Sequence, residues 1–229
     1  LKEIYQTQPQ LNSKIILLAD TFNINFEIKN IMYAIKVLNK FGYQAIIPSF
    51  DDSNLSRPLC CGRTYISFGQ MDKAKYEMNR FTNYLVNNGY AEMPVVGIEP
   101  SCLLTFNDEY KSLKGIDKRE QLQNKFYLIE EFILEQIQQG KKVNASTYTK
   151  NVLVHGHCHQ KSQDRFKGLL DLLKILNIKH KAIDSSCCGM AGSFGYSSKN
   201  FDISQKMANL SLIPTINEHP EDVVVANGT

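Results

Sequence analysis

The amino-acid sequence predicts an α/β fold made of two pseudo-symmetric halves, each of the form β-α-β-(CCG)-α-β with a parallel, Rossmann-like sheet. Short apolar runs alternate with amphipathic stretches of helical period, which is typical of parallel strands joined by right-handed crossovers. The tripeptide Cys-Cys-Gly occurs twice, as Cys60–Gly62 and Cys187–Gly189, at the same point of each alternation. The repeated tripeptide indicates an old duplication.

The first half follows this order from residue 12 to residue 110. Apolar residues at helical spacing end at Gly42, which fits a helix C-cap, and the stretch Asp20–Asn25 is polar and turn-like. The segment Ser49–Pro58 is predicted to be a polar loop that delivers the first Cys-Cys-Gly. The predicted elements are strand Lys14–Ala19, helix Phe26–Phe41, strand Gln44–Ile47, helix Gly69–Asn88 and strand Pro94–Ile98.

The second half repeats the order over residues 151–229. Its predicted elements are strand Asn151–Val154, helix Phe166–Leu176, strand His180–Ile183, helix Asn200–Leu210 and strand Val223–Ala226. Residues 111–150 connect the halves through an extra helix, Asn124–Gln139, and a polar linker, Gly140–Lys150. We therefore expect residues 1–229 to form one domain built from two repeats.

Composition narrows the class of protein. The 229 residues are 43% hydrophobic and 21% charged, and the net charge of +3 is too small to predict binding to nucleic acid. Apolar runs such as Ile15–Ala19 are too short to span a bilayer, and the first residues lack the form of a signal peptide. Cysteines without a secretory signal favour a reduced, cytoplasmic setting.

Because the chain begins without Met, we expect it to be part of a longer protein.

Each of the six cysteines is expected just past a strand end or in the following loop. In parallel sheets these ends form the ligand-binding edge, so the thiols are candidate ligands for a metal or cluster. Thiolates select zinc, copper(I) or iron–sulfur clusters, and adjacent cysteines can reach different metal atoms, which favours a cluster. The candidates are Cys60, Cys61, Cys102, Cys158, Cys187 and Cys188.

Aligning the halves makes the two thiol sites unequal. KIILLADT matches NVLVHGHC, which places Thr21 opposite Cys158, and the two Cys-Cys-Gly turns match each other. VVGIEPSC matches VVVANGT and the next position, so Cys102 corresponds to residue 230, where we expect a cysteine. The second half is therefore the better candidate for a four-thiol site, and the first half lacks one thiol.

Histidines add a second ligand type. On an extended stretch His155, His157 and His159 would share one face and Cys158 would point away, so the histidines and Cys158 need not share a metal. His157 and His159 are candidate metal ligands; the alternative is that the imidazoles hydrogen-bond backbone groups or tune a cluster without ligating it.

Glycines and carboxylates near the predicted strand ends offer weaker signals. The spacing of Gly189, Gly192 and Gly195 would let backbone N–H groups approach an anion, although an ordinary tight turn explains it equally well. Candidate acids and bases are Asp20, Glu99 and Asp184.

Four stretches carry a family resemblance: CCGRTYISFGQMDKAK, VVGIEPSCLLTFNDEY, VLVHGHCHQKS and IDSSCCGMAGSFGY. They resemble the cysteine-rich CCG domain, in the family's order, from about Lys14 to Thr229. That domain occurs in heterodisulfide reductase, in the iron–sulfur subunits of glycolate oxidase and anaerobic glycerol-3-phosphate dehydrogenase, and at the C-terminus of FAD-linked 2-hydroxy-acid oxidases.

The resemblance implies an oxidoreductase role, as an electron-transfer domain of a flavin-linked 2-hydroxy-acid or glycerol-3-phosphate dehydrogenase. It implies a 4Fe–4S-type cluster on the six cysteines, with FAD on a partner domain or subunit outside this chain. Electrons would pass to a quinone or to another acceptor. The resemblance further implies a cytoplasmic protein, or one that is peripheral on the inner face of the membrane. A zinc-stabilised docking module and a cluster-based disulfide reductase are the alternatives.

Overall fold

The structure, a computed structural model, describes residues 1–48, 55, 57–185 and 187–228. The chain divides into two compact units, Leu1–Lys141 and Lys142–Thr229. Their boundary falls in the linker predicted over Gly140–Lys150. Most of the loop predicted over Ser49–Pro58 lies outside the described residues. Each unit contains its own parallel sheet, which confirms the α/β prediction.

A parallel sheet in the order β2-β1-β3-β4 forms the centre of the first unit. Its central strand is the predicted apolar run, and Ile15, Ile16 and Leu17 are fully buried because helices cover both faces. The strands are β1 (Ser13–Leu18), β2 (Tyr43–Ile46), β3 (Val95–Gly97) and β4 (Phe126–Leu128).

Successive residues of β1 enter opposite cores, because side chains alternate across a strand. Ile15 packs with Ile35 on one face, and Ile16 packs with Phe81 on the other. A 3₁₀ turn spans Arg119–Leu122. The helices are α1 (Lys2–Gln6), α2 (Thr21–Asn25), α3 (Ile28–Lys40), α4 (Arg63–Ser67), α5 (Met71–Asn87), α6 (Pro100–Asn107), α7 (Glu109–Ser112) and α8 (Ile129–Gln138).

Two predicted elements of this unit differ in the structure. The segment Asn124–Gln139 was predicted to be all helix, but its first residues form β4 and the helix begins only at Ile129. The edge of β3 offers backbone hydrogen bonds that the periodicity of the sequence does not reveal. The predicted turn Asp20–Asn25 contains α2, which Asp20 caps.

The second unit has a parallel sheet in the order β6-β5-β7 within its described residues. Val154 packs with Leu169 on one face, and Leu153 packs with Leu212 on the other. The elements are β5 (Val152–His155), α9 (Cys158–Ser162), α10 (Lys167–Ile175), β6 (His180–Ala182), 3₁₀ turns Phe194–Tyr196 and Ser198–Asn200, α11 (Phe201–Ala208), α12 (Leu212–Asn217) and β7 (Val223–Ala226).

Helix length bears on membrane insertion. Across the part of the chain that the structure describes, no helix is both long enough and apolar enough to cross a bilayer.

Candidate metal centre

The central strand of each unit ends in a turn that starts a short helix with a side-chain N-cap. Asp20 accepts a hydrogen bond from the backbone N–H of Asn23 at 2.9 Å. The Nδ1 atom of His157 accepts one from the backbone N–H of His159 at 3.1 Å. Each cap satisfies an N–H that the first helical turn leaves unpaired. Because Asp20 and His157 are equivalent in the sequence alignment, this geometry supports the predicted repeat.

The two Cys-Cys-Gly turns are also alike. Gly62 and Gly189 have φ angles of +79° and +86°, in the left-handed region that side chains disfavour. A Cβ on Gly62 would lie 2.9 Å from the carbonyl oxygen of Ala74, in α5. A Cβ on Gly189 would lie 2.2 Å from the carbonyl oxygen of Ser204, in α11. In both units the glycine therefore lets the turn lie directly on the helix that follows it.

The first turn brings three thiols together in unit 1. The side chain of Cys61 hydrogen-bonds to those of Cys60 and Cys102, and Cys61 is buried. The backbone N–H groups of Gly62 and Arg63 donate to the sulfurs of Cys60 and Cys61, both at 3.4 Å. Cys102 lies in the first turn of α6 rather than in a loop. The sequence-predicted thiols of this half therefore share one site.

The pKa values of these three thiols are raised, so without a cation the thiols hold their protons. The hydrogen bond to Cys61 and burial raise the pKa of Cys60, and the hydrogen bond to Cys102 and burial raise that of Cys61. Cys61 lowers the pKa of Cys102 by hydrogen bonding, but burial and the charges of Asp20 and Glu99 raise it overall. Neighbouring anions in a poorly solvated site repel one another, so deprotonation requires a positive centre.

The second thiol site is more open. Cys158 is exposed at the start of α9, whereas Cys187 and Cys188 are half-buried. Burial raises the pKa of Cys158, and the charges of Cys188 and Cys187 add to that rise. The backbone N–H of Gly189 donates to the sulfur of Cys187 at 3.3 Å. The second Cys-Cys-Gly turn thus repeats the N–H contact to sulfur of the first, whereas its third thiol, Cys158, follows the central strand of its sheet.

The expected separation of the histidines from Cys158 is wrong. The sulfur of Cys158 lies 3.9 Å from Nδ1 of His157 and 3.6 Å from Nδ1 of His159. One ligand atom from each of these residues lies within 4.8 Å of the others, which is compatible with a shared metal ion. The extended stretch ends at His155 and a helix begins at Cys158, so the two-residue alternation of a strand no longer applies.

A polar bracket joins α9 to the loop before the second Cys-Cys-Gly. We define it as His155, Lys161 and Ser185. The amine of Lys161 donates to the carbonyl oxygen of Ser185 at 2.9 Å and lies 3.3 Å from its hydroxyl. That hydroxyl lies 2.9 Å from Nδ1 of His155. Ser185 is buried, so the bracket satisfies polar groups that water does not reach.

The structure places the remaining candidates from the sequence in different surroundings. Asp20 and Glu99 are buried helix caps, whereas Asp184 is exposed. The Cβ position of Gly195 lies 2.9 Å from the hydroxyl of Ser204, so packing against α11 explains this glycine as it explains Gly189. The glycine spacing is therefore a packing feature at two of its three positions.

Sequence reasoning missed a buried carboxylate that anchors the segment just before the first Cys-Cys-Gly. Glu77 in α5 is buried and forms ion pairs with Arg57 and Arg80, the latter at 2.7 Å. Arg80 also donates to the backbone carbonyl of Arg57 at 3.0 Å. The signal in the sequence was a carboxylate within the apolar face of a predicted helix.

The donor set fits a thiolate-bound metal or iron–sulfur group. Such a group requires several sulfur ligands, backbone N–H groups directed at sulfur and thiols that a positive partner can deprotonate. Each half offers three sulfurs and at least one such N–H group. Cys60, Cys61 and Cys102 would hold it in the first half, and Cys158, Cys187 and Cys188 in the second.

Each unit of this chain has a parallel α/β fold with free thiols past its strand ends, and this combination defines a cysteine-rich α/β module. Residues 152–229 match the family model described as the CCG cysteine-rich domain. The resemblance predicted from the four cysteine-bearing stretches is thereby confirmed.

Curated relatives extend the similarity across the first half. One subunit of the anaerobic glycerol-3-phosphate dehydrogenase of Escherichia coli is 28% identical over 195 residues, covering 84% of this chain and 47% of the relative. D-2-hydroxyglutarate dehydrogenase of Pantoea ananatis is 23% identical, covering 97% and 21%. Lactate utilization protein A of Oceanobacillus iheyensis is 27% identical, covering 76% and 69%. The chain thus spans about half the length of the Escherichia coli relative.

Proposed function

We propose that this chain is the iron–sulfur electron-transfer domain of a flavin-linked dehydrogenase that oxidises a 2-hydroxy acid or glycerol 3-phosphate. The gathering of three thiols past the strand ends of each half carries the proposal. The names of the relatives support the reaction class, since two of them are named as dehydrogenases or their subunits. Electrons would pass from a flavin on a partner domain or subunit towards a quinone or another acceptor, in the cytoplasm or at the inner face of a membrane.

The ligands we propose are Cys158, Cys187 and Cys188 in the second half, and Cys60, Cys61 and Cys102 in the first. A 4Fe–4S-type cluster supplies one-electron transfer when bound. The protein supplies N–H donors to sulfur and a turn fixed on a helix, which hold the sulfurs in place before and after electron transfer. We also propose that both repeats form one functional domain.

Metal analysis of anaerobically purified protein tests the proposal. We expect a brown protein with iron and acid-labile sulfide in comparable amounts, and an electron paramagnetic resonance signal on reduction. A colourless protein that contains only zinc would contradict the proposal. It would favour the zinc-stabilised module, which the closeness of His157, Cys158 and His159 also fits.

Cysteine variants test whether there are two sites. Cys188→Ser should remove the metal of the second half and leave that of the first, and Cys102→Ser should do the reverse. Each variant is the control for the other, because both exchange one thiol for a hydroxyl of similar size. If both variants lost the same single site, the assignment of separate sites would be wrong.

A further inference from the structure

The two thiol sites lie in opposite electrostatic surroundings. In the first half, the buried carboxylate of Glu99 caps the helix that carries Cys102, and the buried carboxylate of Asp20 caps the helix after β1. Near the second site is the amine of Lys161, held by the polar bracket. The two halves thus share the Cys-Cys-Gly turn but differ in the charges that lie nearby.

Lys161 is placed at the second site by two constraints. It lies three residues after Cys158 in α9, which puts both side chains on neighbouring positions of one helix face. Its hydrogen bonds fix the amine at Ser185, which precedes Cys187 by two residues in the sequence. In the aligned first half the same position is Ile24, a partly buried apolar residue. The first half therefore has no equivalent of the Lys161 amine; Arg63, which follows its Cys-Cys-Gly, is paired with Glu109.

A positive charge fixed beside a redox group stabilises its more negative, reduced state, and buried carboxylates do the opposite. Half-buried groups are screened less than groups in open solvent, so the effect persists at physiological salt. The bracket also restrains the amine, because two of its three N–H donors are directed at Ser185.

We infer that Lys161 is a positioning residue that raises the reduction potential of the second site above that of the first. The group held by Cys158, Cys187 and Cys188 then accepts an electron more readily than the group in the first half. The inference rests on the proposed function, because it concerns the potential of a bound iron–sulfur group. It goes beyond that function by assigning an order to the two sites and a residue that produces it.

The test uses the full chain, loaded anaerobically, and measures iron, sulfide and the midpoint potential of each site by spectroscopically monitored titration. Lys161→Gln removes the charge but keeps a donor for the carbonyl of Ser185. Lys161→Arg keeps both charge and donor. Lys167→Gln is the matched control, because Lys167 is exposed in α10 and pairs only with Asp171 at 3.0 Å among the described contacts.

We expect Lys161→Gln to retain iron and to make reduction of the second site at least tenfold less favourable, which is about 59 mV for a one-electron couple. Lys161→Arg and Lys167→Gln should match the wild type. Loss of iron in Lys161→Gln but not in Lys161→Arg would contradict the inference, because it would assign the charge to retention of the group and not to its potential.

Other outcomes would overturn the inference. An unchanged potential in a fully loaded Lys161→Gln variant would contradict it while leaving the proposed function intact. Loss of iron in both Lys161 variants would show that lysine geometry, and not charge, matters there. A wild-type protein without iron and sulfide would contradict the proposed function and this inference together, so the two failures are distinguishable.

Discussion

Replacing the glycine of the second Cys-Cys-Gly by alanine should destabilise the second unit strongly. Gly189 has a φ of +86°, and an added Cβ would lie 2.2 Å from a backbone oxygen of α11. A side chain in the left-handed region costs about 1–2 kcal/mol. Extra volume in a packed site costs about 1–3 kcal/mol more, so we expect a loss of about 2–5 kcal/mol in unfolding free energy. That is a large part of the stability of a typical domain.

Gly192→Ala is the matched control. Its φ of +67° carries a similar backbone penalty, but no atom of the residues that the structure describes lies within 4 Å of the added Cβ. We therefore expect a loss of only about 1–2 kcal/mol. Gly62→Ala should fall between them, since its nearest contact, at 2.9 Å, is less severe.

Hydrogen exchange of the metal-free, reduced protein, read by mass spectrometry, resolves the two units separately. Protection of amides in α11 should fall far more in Gly189→Ala than in Gly192→Ala. Equal loss of protection in the two variants would refute the argument, because it would show that the close approach to Ser204 carries no cost.

Three further results are expected. Glu77→Gln should cost about 1–3 kcal/mol and impair metal loading of the first half, because Gln keeps one neutral acceptor oxygen where Glu77 offers a charged oxygen to each of Arg57 and Arg80. Normal iron content at that site would contradict this. Burial raises the pKa of Asp20 above its ordinary 3.8, so the folded state binds the proton more tightly than the unfolded state. The contribution of Asp20 to the free energy of unfolding is therefore favourable in acid and is lost as pH rises through the raised pKa. Asp20→Asn should stabilise the metal-free protein at neutral pH and have less effect in acid, which urea unfolding at the two pH values would measure. An anaerobic chelator that removes metal from the loaded protein should lower its melting temperature by mass action, and an unchanged melting temperature would argue against metal bound to the native state.

Strand pairing refined the repeat that the sequence predicted. Leu18 pairs with Gly97 in the first sheet, and its equivalent His155 pairs with Ala226 in the second. The sequence alignment had placed Gly97 opposite Val225, one residue earlier. Successive valines make such a shift invisible in the sequence, and the pairing of the strands decides it. The position equivalent to Cys102 moves by the same amount, and the cysteine expected at residue 230 stays a prediction.

Much of the candidate site was predictable because its residue types are rare and chemically specific. The six cysteines fall past strand ends that apolar runs mark clearly, so the strand order alone brings them to one edge of each sheet. The polar bracket was not predictable, because Lys161 and Ser185 are common residue types. Their separation of 24 residues is closed only by the sheet.

The sequence by itself determined the α/β class, the duplication and the thiols that face one another, because periodicity and cysteine chemistry are local properties. The tertiary structure alone decided the fourth strand of the first sheet, the grouping of His157 and His159 with Cys158, and the charges beside each site. Those features depend on which segments lie against each other after folding. Backbone pairing and the burial of charge are set by such contacts, and no local pattern encodes them.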